Sequence, residues 1–132
     1  MVRGKSVFGT GYAVLKESRP LEKMRLGREI INLWRDGRVP LWDGDGPCPA
    51  SDLDTLPTHP ARPERPKLVP KHEVPSMKVS GVSPPIYILV TMAHIELTAV
   101  DSYWDTLLRF PRYNLPCEYY QQLMQVIDDE SM

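Results

Sequence analysis

The sequence predicts an all-α protein of about three helices joined by a long proline-rich, irregular connector. Three observations predict it. Apolar residues recur at steps of three and four over residues 20–35, 83–109 and 116–132, the spacing of one helix face. Of the 14 prolines, 11 fall between Val39 and Ile86, where they exclude long helices and central strands. What remains for helices is roughly eighty residues, a size at which one core is marginal.

Residues 1–19 open with Gly4, Gly9 and Gly11 and sustain no period. Gly9-Thr10-Gly11 is no dinucleotide loop, because the third glycine, the preceding apolar strand and the downstream acidic residue are missing. Residues 20–37 hold the first expected helix. Leu21, Met24, Ile30, Ile31, Leu33 and Trp34 gather on its core face, and Glu22, Lys23, Arg25, Arg28 and Glu29 lie elsewhere. Ser18 stands where an N-cap belongs, Pro20 suits the first turn, and Gly37 suits the C-terminal stop. Gly27 weakens this helix by about 1 kcal/mol relative to alanine, so it needs tertiary support.

Residues 38–85 form the connector. Prolines at 57, 60, 63, 66 and 70 favour an extended path, and the interspersed Trp42, Leu53, Leu56, Leu68, Val69 and Val74 predict that it wraps the helical body. The spacing of Pro60, Pro63 and Pro66 arises easily in any proline-rich segment and is weak as a groove-binding signal. His59 and His72 have no local partners and read as surface residues.

Residues 86–132 are expected to form an antiparallel helix pair. Ser83 caps the first, Pro84 and Pro85 occupy its first turn, and Ile86, Leu89, Val90, Ala93, Leu97, Val100, Trp104, Leu107 and Leu108 follow at helical steps. Phe110-Pro111 closes it. Asn114-Leu115-Pro116 begins the last helix, which buries Tyr120, Leu123, Met124 and Ile127. That helix carries no stop signal and ends on Asp128, Asp129 and Glu130, anions at the unfavourable end of the helix dipole. A cation at that end, or continuation of the helix, resolves the conflict.

Net charge is -1 at pH 7, so no broad field attracts nucleic acid or an anionic membrane. Cys48 and Cys117 are too few for a disulfide framework and lack zinc-site spacing. No apolar run is long enough to span a bilayer, and residues 1–12 lack the apolar core of a signal peptide. A soluble, intracellular protein is expected.

Two carboxylates stand out. Glu96, three residues after Ala93 and four before Val100, projects from the apolar stripe, where a charge needs an ion pair, a proton or a metal. Glu130 repeats this, three residues after Ile127 and seven after Leu123. Two inward carboxylates on adjacent helices recur in bundles that hold two metal ions, where histidine from a Glu-x-x-His pair completes each ion. His94 lies about 200° around the helix from Glu96. It aligns with Thr98, Asp101 and Asp105 on a polar strip, as a hydrogen-bonded outer partner or a surface residue.

The run from Met92 through His94 and Glu96 to Asp101, then Arg109-Phe110, Leu115-Pro116, Tyr119-Tyr120 and Asp129-Glu130-Ser131, resembles the core of the ferritin-like family labelled domain of unknown function 455. That family shows, in this order, an Ala-His-Ile-Glu-x-x-Ala helix, an Arg-Phe turn with Leu-Pro, and an Asp-Glu-Ala-x-His-Phe helix. Leu21-Glu22-Lys23, Trp34, Gly37 and the run from Ala61 to Pro70 resemble it upstream. The resemblance implies a ferritin-like bundle, with Glu96 and Glu130 as ligands of iron or another divalent metal pair and an oxidative function. It also implies that the chain stops inside the last motif, before its histidine, leaving metal binding weak. The uncovered inner faces of Leu89, Val100, Leu123 and Ile127 are then expected to drive self-association. The alternative is a non-catalytic scaffold or interaction module, with the two carboxylates paired to arginines such as Arg28 or Arg109.

Overall fold

A computed structural model describes residues 6–42, 56–110 and 115–131. Gly4, Cys48, Leu53, Pro111, Asn114 and Met132, all used in the sequence reading, lie outside the described residues. Among those described, the protein is all-helical, with four α-helices, α1 Val7–Lys16, α2 Pro20–Arg35, α3 Pro84–Arg109 and α4 Cys117–Glu130, and no strand. Among the described residues, the proline-rich stretch adds a short 3-10 turn, Lys71–Glu73.

The sequence does not foretell α1, because its glycines and β-branched residues are poor helix formers. Tertiary bonds hold it instead. The Ser6 side chain accepts from the Gly9 N–H at 2.9 Å, and the orphan N–H groups of Val7 and Phe8 donate to the carbonyls of Pro40 and Leu41 at 2.9 and 3.0 Å. At the other end, the Ala61 N–H donates to the Leu15 carbonyl at 2.7 Å. Gly11 is required by packing: a Cβ there would stand 2.9 Å from Leu108 Cδ2 and 3.0 Å from the Trp104 ring.

Helix α2 begins at Pro20 as expected, but its N-cap is Arg19 instead of Ser18, with no side-chain cap bond. Its C-terminus is a Schellman motif: the Gly37 N–H donates to Trp34 and the Arg38 N–H to Leu33, at 3.0 and 2.8 Å, with Gly37 at φ 71°. The expected core face is shifted. Lys23, Gly27, Ile30 and Ile31 are buried, Met24, Leu33 and Trp34 are half-buried, and Leu21 is 87% exposed. Gly27 finds its tertiary support against Trp104, whose Nε1 lies 3.0 Å from where a Cβ would be.

Helix α3 runs as the periodicity predicts, although Ser83 makes no side-chain cap bond. Its apolar stripe is covered only from Leu97 onward, where α1, α2 and α4 pack on Val100, Trp104, Leu107 and Leu108. Ile86, Leu89 and Val90, expected in the core, are exposed. Val100 and Ile127, expected to lack partners, are fully buried and Leu123 is half-buried, because α1 adds cover that the sequence did not show. Helix α4 buries Tyr120, Met124 and Ile127, and Tyr120 sits edge-on to both Phe8 and Trp42, with ring centroids 5.7 Å apart in each pair.

Candidate functional site

Helix α4 packs on α3, and its last residue, Glu130, reaches the level of Glu96. There the carboxyl groups of Glu96 and Glu130 come within hydrogen-bonding reach of each other. The hydrogen bond to Glu96, and then the Glu96 charge, raise the Glu130 carboxyl above its ordinary pKa. Two carboxylates at this separation share a proton, accept a cation or repel.

The burial expected of Glu96 is not observed. It is exposed and Glu130 is half-buried. The arginines offered as alternative partners serve other carboxylates. Arg28 lies 3.6 Å from Asp128, which Arg35 also holds at 2.8 Å, and Arg109 pairs with Asp105 at 2.7 Å. No ion pair among the described residues includes Glu96 or Glu130.

The expected polar strip of His94, Thr98, Asp101 and Asp105 is divided among separate environments. His94 is exposed, and its carbonyl accepts from the Thr98 hydroxyl at 2.7 Å. Asp101 is buried at 3% exposure. Its Oδ1 accepts from Lys23 Nζ at 2.6 Å, and its Oδ2 forms an ion pair with Arg62 Nε at 2.8 Å. Lys23, 1% exposed, also donates to the Ala61 carbonyl at 2.9 Å, and Arg62 donates to the Thr98 hydroxyl at 3.0 Å. This network pins residues 61–62 to α2 and α3. The sequence reading placed Lys23 on the solvated face; its position four residues before Gly27 and seven before Ile30 was the available signal.

Among the described residues, no group of three or more His, Cys, Asp or Glu side chains could hold a metal ion. Glu96 and Glu130 supply hard oxygen donors only, the set that suits Mg, Ca and Mn and that joins imidazole around iron. No described helix is long and apolar enough to cross a membrane.

No curated protein and no solved structure matches this chain. The family model described as "Protein of unknown function (DUF455)" matches residues 16–132, taking in all of α2, α3 and α4, and the chain therefore belongs to that family.

Proposed function

We propose that Glu96 and Glu130 form the carboxylate half of a dinuclear divalent-metal site in a ferritin-like bundle, iron being the expected metal and oxidation the expected use. The observation that supports this reading is the facing of two carboxylates, on two different helices, neither of them ion-paired to a cation among the described residues. Packed helices that bring like charges together keep that arrangement where a cation relieves it. Bound metal would supply Lewis acidity and, with iron, redox chemistry. The chain's own residues would contribute two carboxylate ligands, held in register by the α3–α4 packing of Val100, Met124 and Ile127.

Titration with Mn(II), followed by electron paramagnetic resonance, tests the pair. The chain is expected to bind weakly, and Glu96→Gln or Glu130→Gln to remove that binding. Because protons compete for the same oxygens, affinity falls as pH drops through the raised Glu130 titration. Appending one histidine after Met132, which completes Glu-x-x-His, is expected to strengthen Fe(II) binding by at least the ~10-fold that losing an outer-shell partner costs. Mn(II) binding unchanged in both glutamine variants refutes the site and favours the scaffold.

The same reading gives the uncovered half of α3 a purpose. Ile86, Ile88, Leu89, Val90, Met92 and Ile95 are exposed, and Leu89 alone leaves 66% of its surface in water. We propose that the chain self-associates through this face. Sedimentation velocity should show concentration-dependent association that Leu89→Asp with Met92→Asp suppresses. A monomer at all concentrations would refute it.

A further inference from the structure

Away from the carboxylate pair, a slot of about 590 Å³ separates residues 56–62 from the polar side of α3. Arg62 bonds to Thr98 and Asp101 at one end, and Arg109 donates to the Pro57 carbonyl at 3.3 Å at the other. The segment therefore runs antiparallel to α3 between Arg109 and Thr98, about 16 Å at the rise of an α-helix. Its wall is fixed before any ligand arrives, because the Ala61 N–H is held by the Leu15 carbonyl and the Ala61 carbonyl by Lys23. A wall already in place adds little ordering cost on binding. The volume falls within the range of small-molecule sites.

The charges that line the slot are paired with one another. Arg62 lies 2.8 Å from Asp101, whose other oxygen takes Lys23 from the buried side, and Arg109 holds both oxygens of Asp105 at 2.7 and 3.0 Å. No unpaired charge of the lining faces a ligand. What remains is hydrogen-bonding capacity. The Thr106 hydroxyl gives its proton to the Ser102 carbonyl at 2.8 Å, so its oxygen is left to accept, and the Ser102 hydroxyl, bonded to no other group among the described residues, can donate or accept. The Asp105 oxygens each keep a second lone pair, while Leu56 and Pro60 add an apolar surface. A hydroxyl group both gives and takes a hydrogen bond without carrying charge. We propose that this slot binds a neutral, polyhydroxylated small molecule of the sugar class, its hydroxyls on Ser102, Asp105 and Thr106 and its C–H face on Leu56 and Pro60. The slot shares no residue with the Glu96–Glu130 pair, and the proposal does not depend on a metal there.

Amide chemical-shift titration of the ¹⁵N-labelled full chain in chelator-treated buffer tests this, with glucose, cyclohexanol, glucuronate and glucosamine as probes. Glucose is expected to shift amides of residues 58–62 and 98–109 and to bind about tenfold tighter than cyclohexanol, the increment of two or three neutral hydrogen bonds. Glucuronate and glucosamine should bind no tighter than glucose, since neither finds an unpaired opposite charge. Ser102→Val with Thr106→Val should bring glucose down to the cyclohexanol level. Ser102→Trp, at an exposed position of α3, fills the slot and should remove binding of both; if that variant does not fold, Thr58→Trp fills it from the opposite wall. Gln122→Trp, exposed on α4 and outside the slot, should change neither. Maltose against glucose then tells a glycan end, which gains from the second ring, from a free monosaccharide, and either result supports the site. Glucose that shifts no slot amide, glucose no tighter than cyclohexanol, a charged sugar tighter than glucose, or binding retained when the slot is filled would each overturn the assignment.

Discussion

Lys23→Met is expected to lower the unfolding free energy by about 3–5 kcal/mol, because it leaves the buried Asp101 charge with Arg62 as its remaining partner and the Ala61 carbonyl without its ammonium donor. For a domain whose whole stability is about 5–15 kcal/mol, that is a large fraction. Methionine keeps most of the side-chain volume, so the loss measures charge and hydrogen bonding more than packing. The double variant Lys23→Met with Asp101→Leu should be less destabilised than the single one, since it no longer buries an undercompensated carboxylate. Urea unfolding measures both. A single-variant cost below about 1 kcal/mol, the range of exposed pairs, would show that the network is not desolvated in solution.

Trp104→Ala should cost a similar amount, about 3–5 kcal/mol, as the loss of a fully buried tryptophan at the junction of three helices. Glycine makes that junction possible. Gly11 and Gly27 each place bare backbone against the indole, and a Cβ at Gly27 would stand 3.0 Å from Trp104 Nε1. Gly27→Ala in the native background is therefore expected to lose about 1–3 kcal/mol to overpacking, despite its better helix propensity. In the Trp104→Ala background the clash is gone, and the same substitution should gain roughly 1 kcal/mol. Thermal or urea melts of the four proteins give the cycle directly. Gly27→Ala acting with the same sign in both backgrounds would contradict the close approach of α2 to Trp104.

Periodicity alone located three of the four helices, since α2, α3 and α4 carry apolar residues at helical steps and proline at their starts. Helix α1 was illegible because what forms it is remote: the carbonyls of Pro40 and Leu41 and the N–H of Ala61 lie far along the chain, and Gly11 reads as a helix weakness until its contact with Trp104 is seen. Glu96 and Glu130 could be singled out because each breaks an apolar stripe, and the structure does bring them together. Their exposure could not be anticipated, since periodicity says which face a residue occupies and not how far along a helix the cover extends. Lys23 and Asp101 were misassigned for the opposite reason. Charged residues are placed on the solvated face by default, and only the three-dimensional meeting of α2 with α3 shows that they neutralise each other inside.

The bonds at both ends of α1 also bear on the order in which the chain folds. Its first N–H groups find acceptors more than thirty residues downstream and its last turn is bonded by Ala61, so the helix closes two long loops to complete its own termini. A short glycine-containing helix has little capacity to nucleate alone. Although α1 precedes the other described helices in the chain, it is therefore a late-forming element, waiting on the chain through Ala61. Its high contact order shifts the rate-limiting encounter away from the local helices α2, α3 and α4.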